Sequence, residues 1–137
     1  MFPLLVTAAI IAHQGKILLT RRKEDVSYPL LWEFPGGKVE PEEDPCDCIV
    51  REIREELDIE VAVTGIYEVI YHRYPECAVL VLAYRVKWLS GDIVDLDVAE
   101  HCWVSPRDLL SFRLLPADIH LAERISREFA DADSAHL

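Results

Sequence analysis

Residues 33–60 constrain this 137-residue chain more than any other segment, because they concentrate negative charge around a helical pattern. The segment holds 11 Asp and Glu but three Lys and Arg, and so carries eight of the eleven net negative charges. At about 100° per residue, apolar side chains from Cys46 to Leu57 share one face and three glutamates share another. With Asp44 as N-cap and Pro45 in the first turn, the pattern predicts an amphipathic helix from Pro45 to about Leu57.

The carboxylate face of this helix has two interpretations. Like charges at i and i+4 cost roughly 0.2–0.5 kcal/mol per pair, so Glu52 and Glu56 are unfavourable neighbours unless a cation neutralises them. Carboxylates are hard oxygen donors that suit Mg²⁺ or Mn²⁺. The alternative is a solvated face on which Arg51 pairs with Glu55 and the acids only keep the protein in solution.

The loop before the helix favours a ligand site. Gly36 and Gly37 can bring bare backbone close to a ligand, and Pro35 stiffens the segment. A backbone carbonyl or amide can therefore join the helix carboxylates at one point. A Gly-Gly pair is more often a simple turn, so the loop supports the cation interpretation without deciding it.

The rest of the pattern predicts one α/β domain over residues 1–137. Runs of β-type residues at 5–12 and 16–22 flank a turn at 13–15, and two more strands are expected at 61–74 and 77–86. A short helix is expected from Ser105, and a longer one from Asp118 to about Phe129. Strands on both sides of a central helix, followed by a second helix, indicate a mixed sheet sandwiched between helices.

Charge and hydropathy exclude several classes of function. A net charge of -11 opposes binding to a phosphate backbone, so no nucleic-acid partner is expected. The longest apolar runs, 4–12 and 77–84, are well short of the roughly 18 residues that span a bilayer, so no membrane insertion is expected. The N-terminus shows no secretory pattern, and the four cysteines show no disulfide spacing. We expect a cytoplasmic protein with reduced thiols.

The glycine loop and the helix together resemble the signature of the Nudix hydrolase family, G-x5-E-x7-R-E-U-x-E-E-x-G-U, in which U is apolar. Gly37 opens the pattern, Glu43 follows after five residues, and residues 51–59 complete it as Arg-Glu-Ile-Arg-Glu-Glu-Leu-Asp-Ile. One specified position differs, because Asp58 stands where the family has glycine. That glycine lies where the helix ends, and Asp tolerates the left-handed conformation better than most residues. The change therefore bears on the path of the following loop and leaves the metal ligands intact.

The resemblance extends to residues 6–22, 31–41, 103–106 and 115–118, which look like the branch of MutT-type 8-oxo-dGTP diphosphatases and CTP pyrophosphohydrolases. That branch implies the Nudix α/β/α sandwich, with a mixed curved sheet between helices. It implies hydrolysis of nucleoside triphosphates to monophosphate and pyrophosphate with Mg²⁺, or Mn²⁺ as an alternative. It also implies a supporting pair of Glu43 with Arg51, and metal ligation by Glu52, Glu55, Glu56 and a backbone oxygen of Gly36 or Gly37, of which Gly37 is assigned here.

The remaining roles fall on side chains outside the signature helix. Asp97 is the expected general base, chosen by its distance from Trp103, and Glu56 is the alternative. If Asp97 has no catalytic role, it belongs to an ordinary polar loop. Arginines suit phosphate contact, aromatic rings can stack on a base and a carboxylate can read a base edge. The expected substrate-binding residues are Arg21, Arg22, Phe34, Gly36, Gly37, Lys38, Tyr74 and Asp118. Their structural alternatives are an exposed strand end for the arginines, core packing for the rings and a helix N-cap for Asp118.

The leading functional expectation is a metal-dependent nucleoside triphosphate pyrophosphohydrolase that cleanses or regulates the nucleotide pool. A Nudix hydrolase of a dinucleoside polyphosphate or nucleotide sugar is the alternative among enzymes. A non-catalytic nucleotide-binding module is the alternative outside them, and it is disfavoured because all three ligand carboxylates are present. The sequence is compatible with a monomer or a homodimer, and it does not select a base.

Overall fold

The structure is a computed structural model, described here for residues 2–129, and it alternates strands with helices. The strands are β1 (Leu4–His13), β2 (Lys16–Arg21), β3 (Trp32–Glu33), β4 (Glu60–Arg73), β5 (Ala78–Ser90) and β6 (Glu100–Val104). The helices are α1 (Pro45–Leu57) and α2 (Pro116–Phe129), with a short 3₁₀ helix at Pro106–Ser111.

The strands form a mixed sheet. Five of them are ordered β3-β2-β1-β5-β4, and β6 pairs with β2. Strands β1 and β5 are parallel, from Leu4 opposite Val79 to Ile11 opposite Val86, and the other strand pairs are antiparallel. The predicted mixed sheet is confirmed.

The two long helices cover opposite faces of this sheet. Ile49, Ile53 and Leu57 of α1 pack in a buried cluster that includes alternate residues of β1. Leu121 and Ile125 of α2 pack in a second cluster on the other face. Because side chains of a strand alternate between faces, β1, β2, β4 and β5 each contribute buried residues to both clusters. The α/β/α sandwich expected from the sequence is confirmed.

Helix α1 has the bounds that its capping residues predict. Asp44 is the N-cap and its side chain accepts a hydrogen bond from the Cys46 backbone N–H at 2.7 Å, and Pro45 opens the helix. At the other end Asp58 adopts the left-handed conformation, with φ 59° and ψ 32°, while its N–H donates to the Arg54 carbonyl at 3.0 Å. The aspartate that replaces the family glycine therefore adopts the left-handed conformation that glycine favours at a helix end.

Replacing Asp58 with glycine is expected to raise the free energy of unfolding by about 0.5–1 kcal/mol. Glycine enters the left-handed region without a Cβ penalty, and the change removes a negative charge from the helix C-terminus. Urea unfolding of Asp58→Gly beside Asp58→Ala measures the effect, with the alanine variant expected to be less stable than the wild type. A glycine variant less stable than the wild type would contradict this account of the helix end.

Three features of the fold depart from the sequence prediction. Strand β3 and strand β6 were not predicted, since β3 has two residues and β6 begins with the polar pair Glu100-His101. Both strands form because β2 offers them a partner edge. Helix α2 begins at Pro116, two residues before the predicted Asp118, because proline is well suited to a first helical position.

The four cysteines are free thiols in the structure. Within residues 2–129, no helix is both long enough and apolar enough to cross a membrane.

Candidate active site

The glycine loop is bound along β1 by backbone hydrogen bonds. Two N–H groups of β1 donate to the loop, from Ala9 to Pro35 O at 2.7 Å and from Thr7 to Gly37 O at 2.8 Å. In the other direction, Val39 N–H donates to Leu5 O at 3.0 Å. This pairing places the backbone of residues 35–39 between β1 and the start of α1.

Gly36 is required by the closeness of this contact. Its φ is +155°, and a Cβ at this position would lie 2.2 Å from the Thr7 carbonyl oxygen. Because the obstructing atom belongs to the backbone of a central strand, it cannot move aside as a side chain would. Only glycine therefore fits here without displacing the loop.

Gly37 brings bare backbone against a carboxylate of α1. A Cβ on Gly37 would lie 2.5–2.8 Å from the carboxylate atoms of Glu52. The Gly37 carbonyl, expected from the sequence to be a metal ligand, accepts hydrogen bonds from Thr7 N at 2.8 Å and Thr7 Oγ1 at 3.2 Å. Both lone pairs of this oxygen are thus engaged. The lack of a side chain on Gly37 leaves space for the Glu52 carboxylate.

Arg51 joins the acidic residues of the signature. Its Nε and Nη2 donate to the two carboxylate oxygens of Glu43 at 2.8 and 3.0 Å, and its Nη1 lies 2.9 Å from Glu52 Oε1 and 3.2 Å from Glu55 Oε2. Hydrogen bonds from Arg51 lower the pKa of Glu43 to about 2, and the same contact raises the pKa of Arg51 above its ordinary value. The expected Glu43–Arg51 contact is present, and so is the Arg51–Glu55 contact of the alternative interpretation.

Glu56 is the carboxylate that most needs a positive partner. Its Oε2 is buried and has no hydrogen-bond partner within the described part of the chain. Burial raises the pKa of Glu56 well above its ordinary value, the charges of Glu33 and Glu52 raise it further, and a hydrogen bond from the Gly36 backbone opposes them. A cation here would neutralise the repulsion and satisfy the unpartnered oxygen.

The carboxylate of Glu56 opens into a cavity of about 330 Å³. Seven of the eight predicted substrate-binding residues line it: Arg22, Phe34, Gly36, Gly37, Lys38, Tyr74 and Asp118. The apolar part of the wall comes from Leu4, Val6, Val79, Val81 and Leu115. The cavity therefore joins a charged region to an apolar region, as a site for a nucleotide requires.

Asp118 lies inside helix α2 and is not its N-cap. Its side chain accepts a hydrogen bond from the Phe34 backbone N–H at 3.1 Å, and the residue is 4% exposed. Burial, with the charge of Glu33 as a second cause, raises the pKa of Asp118 to about 8. The neighbouring Tyr74 hydroxyl accepts from Ala117 N at 2.9 Å, and burial raises the pKa of Tyr74 to about 12.

Replacing Asp118 with asparagine is expected to remove a pH-dependent loss of stability. Between about pH 4 and pH 8 the folded state keeps the Asp118 proton that the unfolded state releases, so the free energy of unfolding falls as pH rises and levels off above 8. Asparagine resembles the protonated acid and can still accept from Phe34. We expect Asp118→Asn to be more stable than wild type at pH 8 by about 1–3 kcal/mol, with a smaller gain at pH 5. Urea unfolding at both pH values checks this, and parallel pH profiles for the two proteins would refute it.

Arg21 is a predicted residue that the structure places elsewhere. Its Nε donates to Leu30 O at 3.0 Å, its Nη1 pairs with Glu100 at 3.1 Å, and its guanidinium lies over the Trp32 ring. Arg22, which follows the last residue of β2, lines the cavity, and Arg21 does not. The prediction that Arg21 meets the substrate is not supported by this geometry.

Four predicted acids lie outside the cavity lining: Glu43, Glu52, Glu55 and Asp97. The Asp97 side chain is 64% exposed and pairs with Lys23 at 3.0 Å, although its backbone N–H donates to Glu56 O at 3.2 Å. The Glu55 side chain is 56% exposed and is held by Arg51. Within residues 2–129, no three acidic, His or Cys side chains already converge with the geometry of a metal site.

Glu33 is a site residue that the sequence reasoning missed. Its carboxylate lines the cavity and accepts from Arg22 Nη1 at 3.1 Å, and burial raises its pKa despite that contact. The one signal in the sequence was the position of Glu33 between two aromatic residues, Trp32 and Phe34, which pack on the same core cluster.

Comparisons with known proteins agree with this geometry. The NUDIX domain family model matches residues 1–126. The CTP pyrophosphohydrolase of Escherichia coli (strain K12) is 42% identical over 119 residues, covering 86% of this chain and 87% of that protein. The 8-oxo-dGTP diphosphatase of Haemophilus influenzae is 32% identical over 124 residues, covering 90% and 91%.

A solved structure gives the same result for the fold. The solution structure of the E. coli ORF135 protein is similar with a TM-score of 0.82 and 37% sequence identity, covering 97% of this chain and 96% of that one. The fold of this chain is thus matched over nearly its whole length. The protein belongs to the Nudix hydrolase family, as its signature predicted.

Proposed function

We propose that this protein is a metal-dependent nucleoside triphosphate pyrophosphohydrolase, which converts (d)NTP and water to (d)NMP and pyrophosphate in the nucleotide pool. The observation that carries the proposal is the buried Oε2 of Glu56, which has no hydrogen-bond partner among the described residues, in a residue that lines a cavity with both charged and apolar walls. The relatives named CTP pyrophosphohydrolase and 8-oxo-dGTP diphosphatase support this substrate class.

The proposed cofactor is Mg²⁺, with Mn²⁺ as an alternative, since Nudix hydrolases generally need a divalent metal. Glu52, Glu55 and Glu56 would hold it, with a backbone oxygen from Gly36, because the Gly37 oxygen is engaged by Thr7. When bound, such an ion polarises a phosphoryl oxygen and lowers the pKa of water. The unpartnered Glu56 oxygen and the mutual repulsion of the acids fit this donor set.

The proposed role of Arg51 and Glu43 is to position the acids of α1. Arg51 donates two hydrogen bonds to the Glu43 carboxylate, and its remaining nitrogen orients Glu52 and Glu55. Fixed carboxylates lose less freedom when a ligand binds. As general base we favour Glu56 over Asp97, since Glu56 lines the cavity while Asp97 is exposed and paired with Lys23.

Substrate contacts are proposed for the two regions of the cavity. Arg22 and Lys38 supply positive charge for the phosphates, which an acidic chain needs in order to admit an anionic substrate. Phe34, Tyr74 and Asp118 would surround the base. Because Asp118 keeps its proton at neutral pH, it can donate a hydrogen bond to the base as well as accept one.

Removing the Asp118 side chain is expected to change base preference. We expect Asp118→Ala to alter the ratio of kcat/KM between two bases by on the order of tenfold, because an unpaired buried donor on the base costs roughly 1–3 kcal/mol. Steady-state kinetics with CTP, dCTP and 8-oxo-dGTP measures the ratios. An equal loss for every triphosphate would return Asp118 to a structural role.

Further properties follow as parts of the same proposal. We propose a single domain over residues 1–137, a cytoplasmic location, no nucleic-acid or membrane partner and a monomer or homodimer. The experiment that tests the function is turnover over a panel of canonical and modified triphosphates, a dinucleoside polyphosphate and a nucleotide sugar. The proposal expects a triphosphate to have the highest kcat/KM, and preference for either of the other two classes would refute it.

A further inference from the structure

The loop between β2 and β3 is tied back on itself. Arg22 N–H donates to Leu31 O at 2.8 Å, and Leu30 N–H donates to Arg22 O at 3.1 Å, so the base of the loop is closed. The Arg22 side chain donates to Ser27 O at 2.8 Å and to Ser27 Oγ at 3.1 Å. The loop therefore has a defined position beside the cavity that Arg22 and Ser27 line.

Tyr28 crosses from this loop to the far wall of the cavity. Among residues 24–30 it alone is not exposed. Its ring centroid lies 5.0 Å from that of Tyr74, and its hydroxyl donates to Glu76 Oε1 at 2.9 Å and lies 3.2 Å from Oε2. Glu76 belongs to the turn between β4 and β5, and both Tyr28 and Glu76 line the cavity.

Two residues of the loop have an unusual backbone conformation. Tyr28 has φ 50° and Leu30 has φ 61°, in the left-handed region that side-chain-bearing residues rarely adopt. Such conformations persist when surrounding contacts require them. In this loop the Tyr28 side chain contacts Tyr74 and Glu76, and Arg22 forms hydrogen bonds to Ser27, Leu30 and Leu31.

We infer that Tyr28 is a specificity-determining residue, whose ring forms the wall that the nucleoside base contacts and whose hydrogen bond to Glu76 sets the position of that wall. The inference rests on the proposed function. Tyr28 contacts Tyr74 and Glu76, whereas the carboxylates of α1 contact Arg51 and the glycine loop. Tyr28 therefore belongs to the part of the site that holds the base, and its loss affects base binding more than the phosphate chemistry.

The experiment compares KM and kcat for Tyr28→Ala, Tyr28→Phe, Glu76→Ala and Glu76→Gln. CTP is one substrate, and ribose 5-triphosphate, which has the phosphates without a base, is the other. Tyr71→Ala is the matched control, because Tyr71 is exposed on β4 and does not line the cavity. Urea unfolding of each variant verifies that it is folded.

Tyr28→Ala is expected to raise KM for CTP about tenfold, the scale on which an aromatic contact to a base acts, while kcat changes less than threefold. For ribose 5-triphosphate, KM is expected to change less than twofold. Tyr28→Phe and Glu76→Ala are each expected to raise KM for CTP about threefold. The double variant is expected to raise it no more than either single variant, since both substitutions remove the same hydrogen bond. Glu76→Gln retains an acceptor and is expected to stay within twofold of wild type.

A KM for CTP within twofold of wild type in Tyr28→Ala would overturn the inference, as would an equal effect on the substrate without a base. Both outcomes leave the proposed function standing, because the wild type still releases pyrophosphate. A wild type that hydrolyses no nucleoside triphosphate overturns the proposed function and this inference together.

Discussion

Replacing Glu56 with glutamine is expected to lower kcat at least about a hundredfold while the protein stays folded. The change removes the carboxylate proposed to hold the metal or accept the proton, and it opens no cavity because the two side chains have nearly the same shape. Stability without divalent cations is expected to be equal or higher, since a neutral amide escapes repulsion by Glu33 and Glu52. Steady-state kinetics with Mg²⁺ and urea unfolding in EDTA measure the two effects.

The matched control is Glu123→Gln, which neutralises an exposed glutamate on α2 that does not line the cavity. It is expected to keep kcat within twofold of wild type. Addition of Mg²⁺ is expected to raise the Tm of wild type and of this control, because an ion that binds the folded state stabilises that state. The increase is expected to be smaller for Glu56→Gln, which lacks one of the proposed ligands. Activity of Glu56→Gln within threefold of wild type would remove Glu56 from the proposed site.

Replacing Gly36 with alanine is expected to lower the free energy of unfolding by about 2–5 kcal/mol. The new Cβ would lie 2.2 Å from the Thr7 carbonyl oxygen, and a φ of +155° is strained for any L side chain. Relief requires the loop to leave β1, which breaks the hydrogen bonds from Ala9 to Pro35 and from Thr7 to Gly37. Activity is expected to fall with stability, because the same loop contacts Glu56 and Glu52.

Gly65→Ala is the control for this substitution, since a Cβ at Gly65 meets no atom within 4 Å. It is expected to change the free energy of unfolding by less than about 1 kcal/mol. Urea midpoints of both variants provide the comparison. Equal stability of Gly36→Ala and Gly65→Ala would show that the loop is not held against β1 as described.

The features that sequence reasoning predicted depend on local pattern. Helix α1 is specified by its N-cap Asp44, the proline after it and an apolar face of 3.6-residue period, so its bounds could be predicted. The signature from Gly37 to residue 59 likewise lies in one continuous segment. Even the departure at Asp58 could be interpreted locally, because the left-handed conformation is a property of one residue and its helix end.

The features that it missed or misplaced depend on contacts distant in sequence. Glu33 enters the site because the two-residue strand β3 pairs with β2, and no residue-level propensity indicates so short a strand. Arg21 and Arg22 are adjacent in sequence, yet Arg21 pairs with Glu100 while Arg22 pairs with Glu33 and lines the cavity, and both partners are brought there by the sheet. Tyr28 and Glu76 are 48 residues apart, so their hydrogen bond becomes visible only in the folded chain.

Analysis of the products formed from CTP tests the central claim most directly. The purified protein is incubated with CTP and Mg²⁺, and the products are separated by ion-exchange chromatography, with a parallel reaction in excess EDTA. The account predicts CMP and pyrophosphate in equal amounts with Mg²⁺ and no turnover in EDTA. Formation of CDP and inorganic phosphate, or full turnover in EDTA, would contradict it.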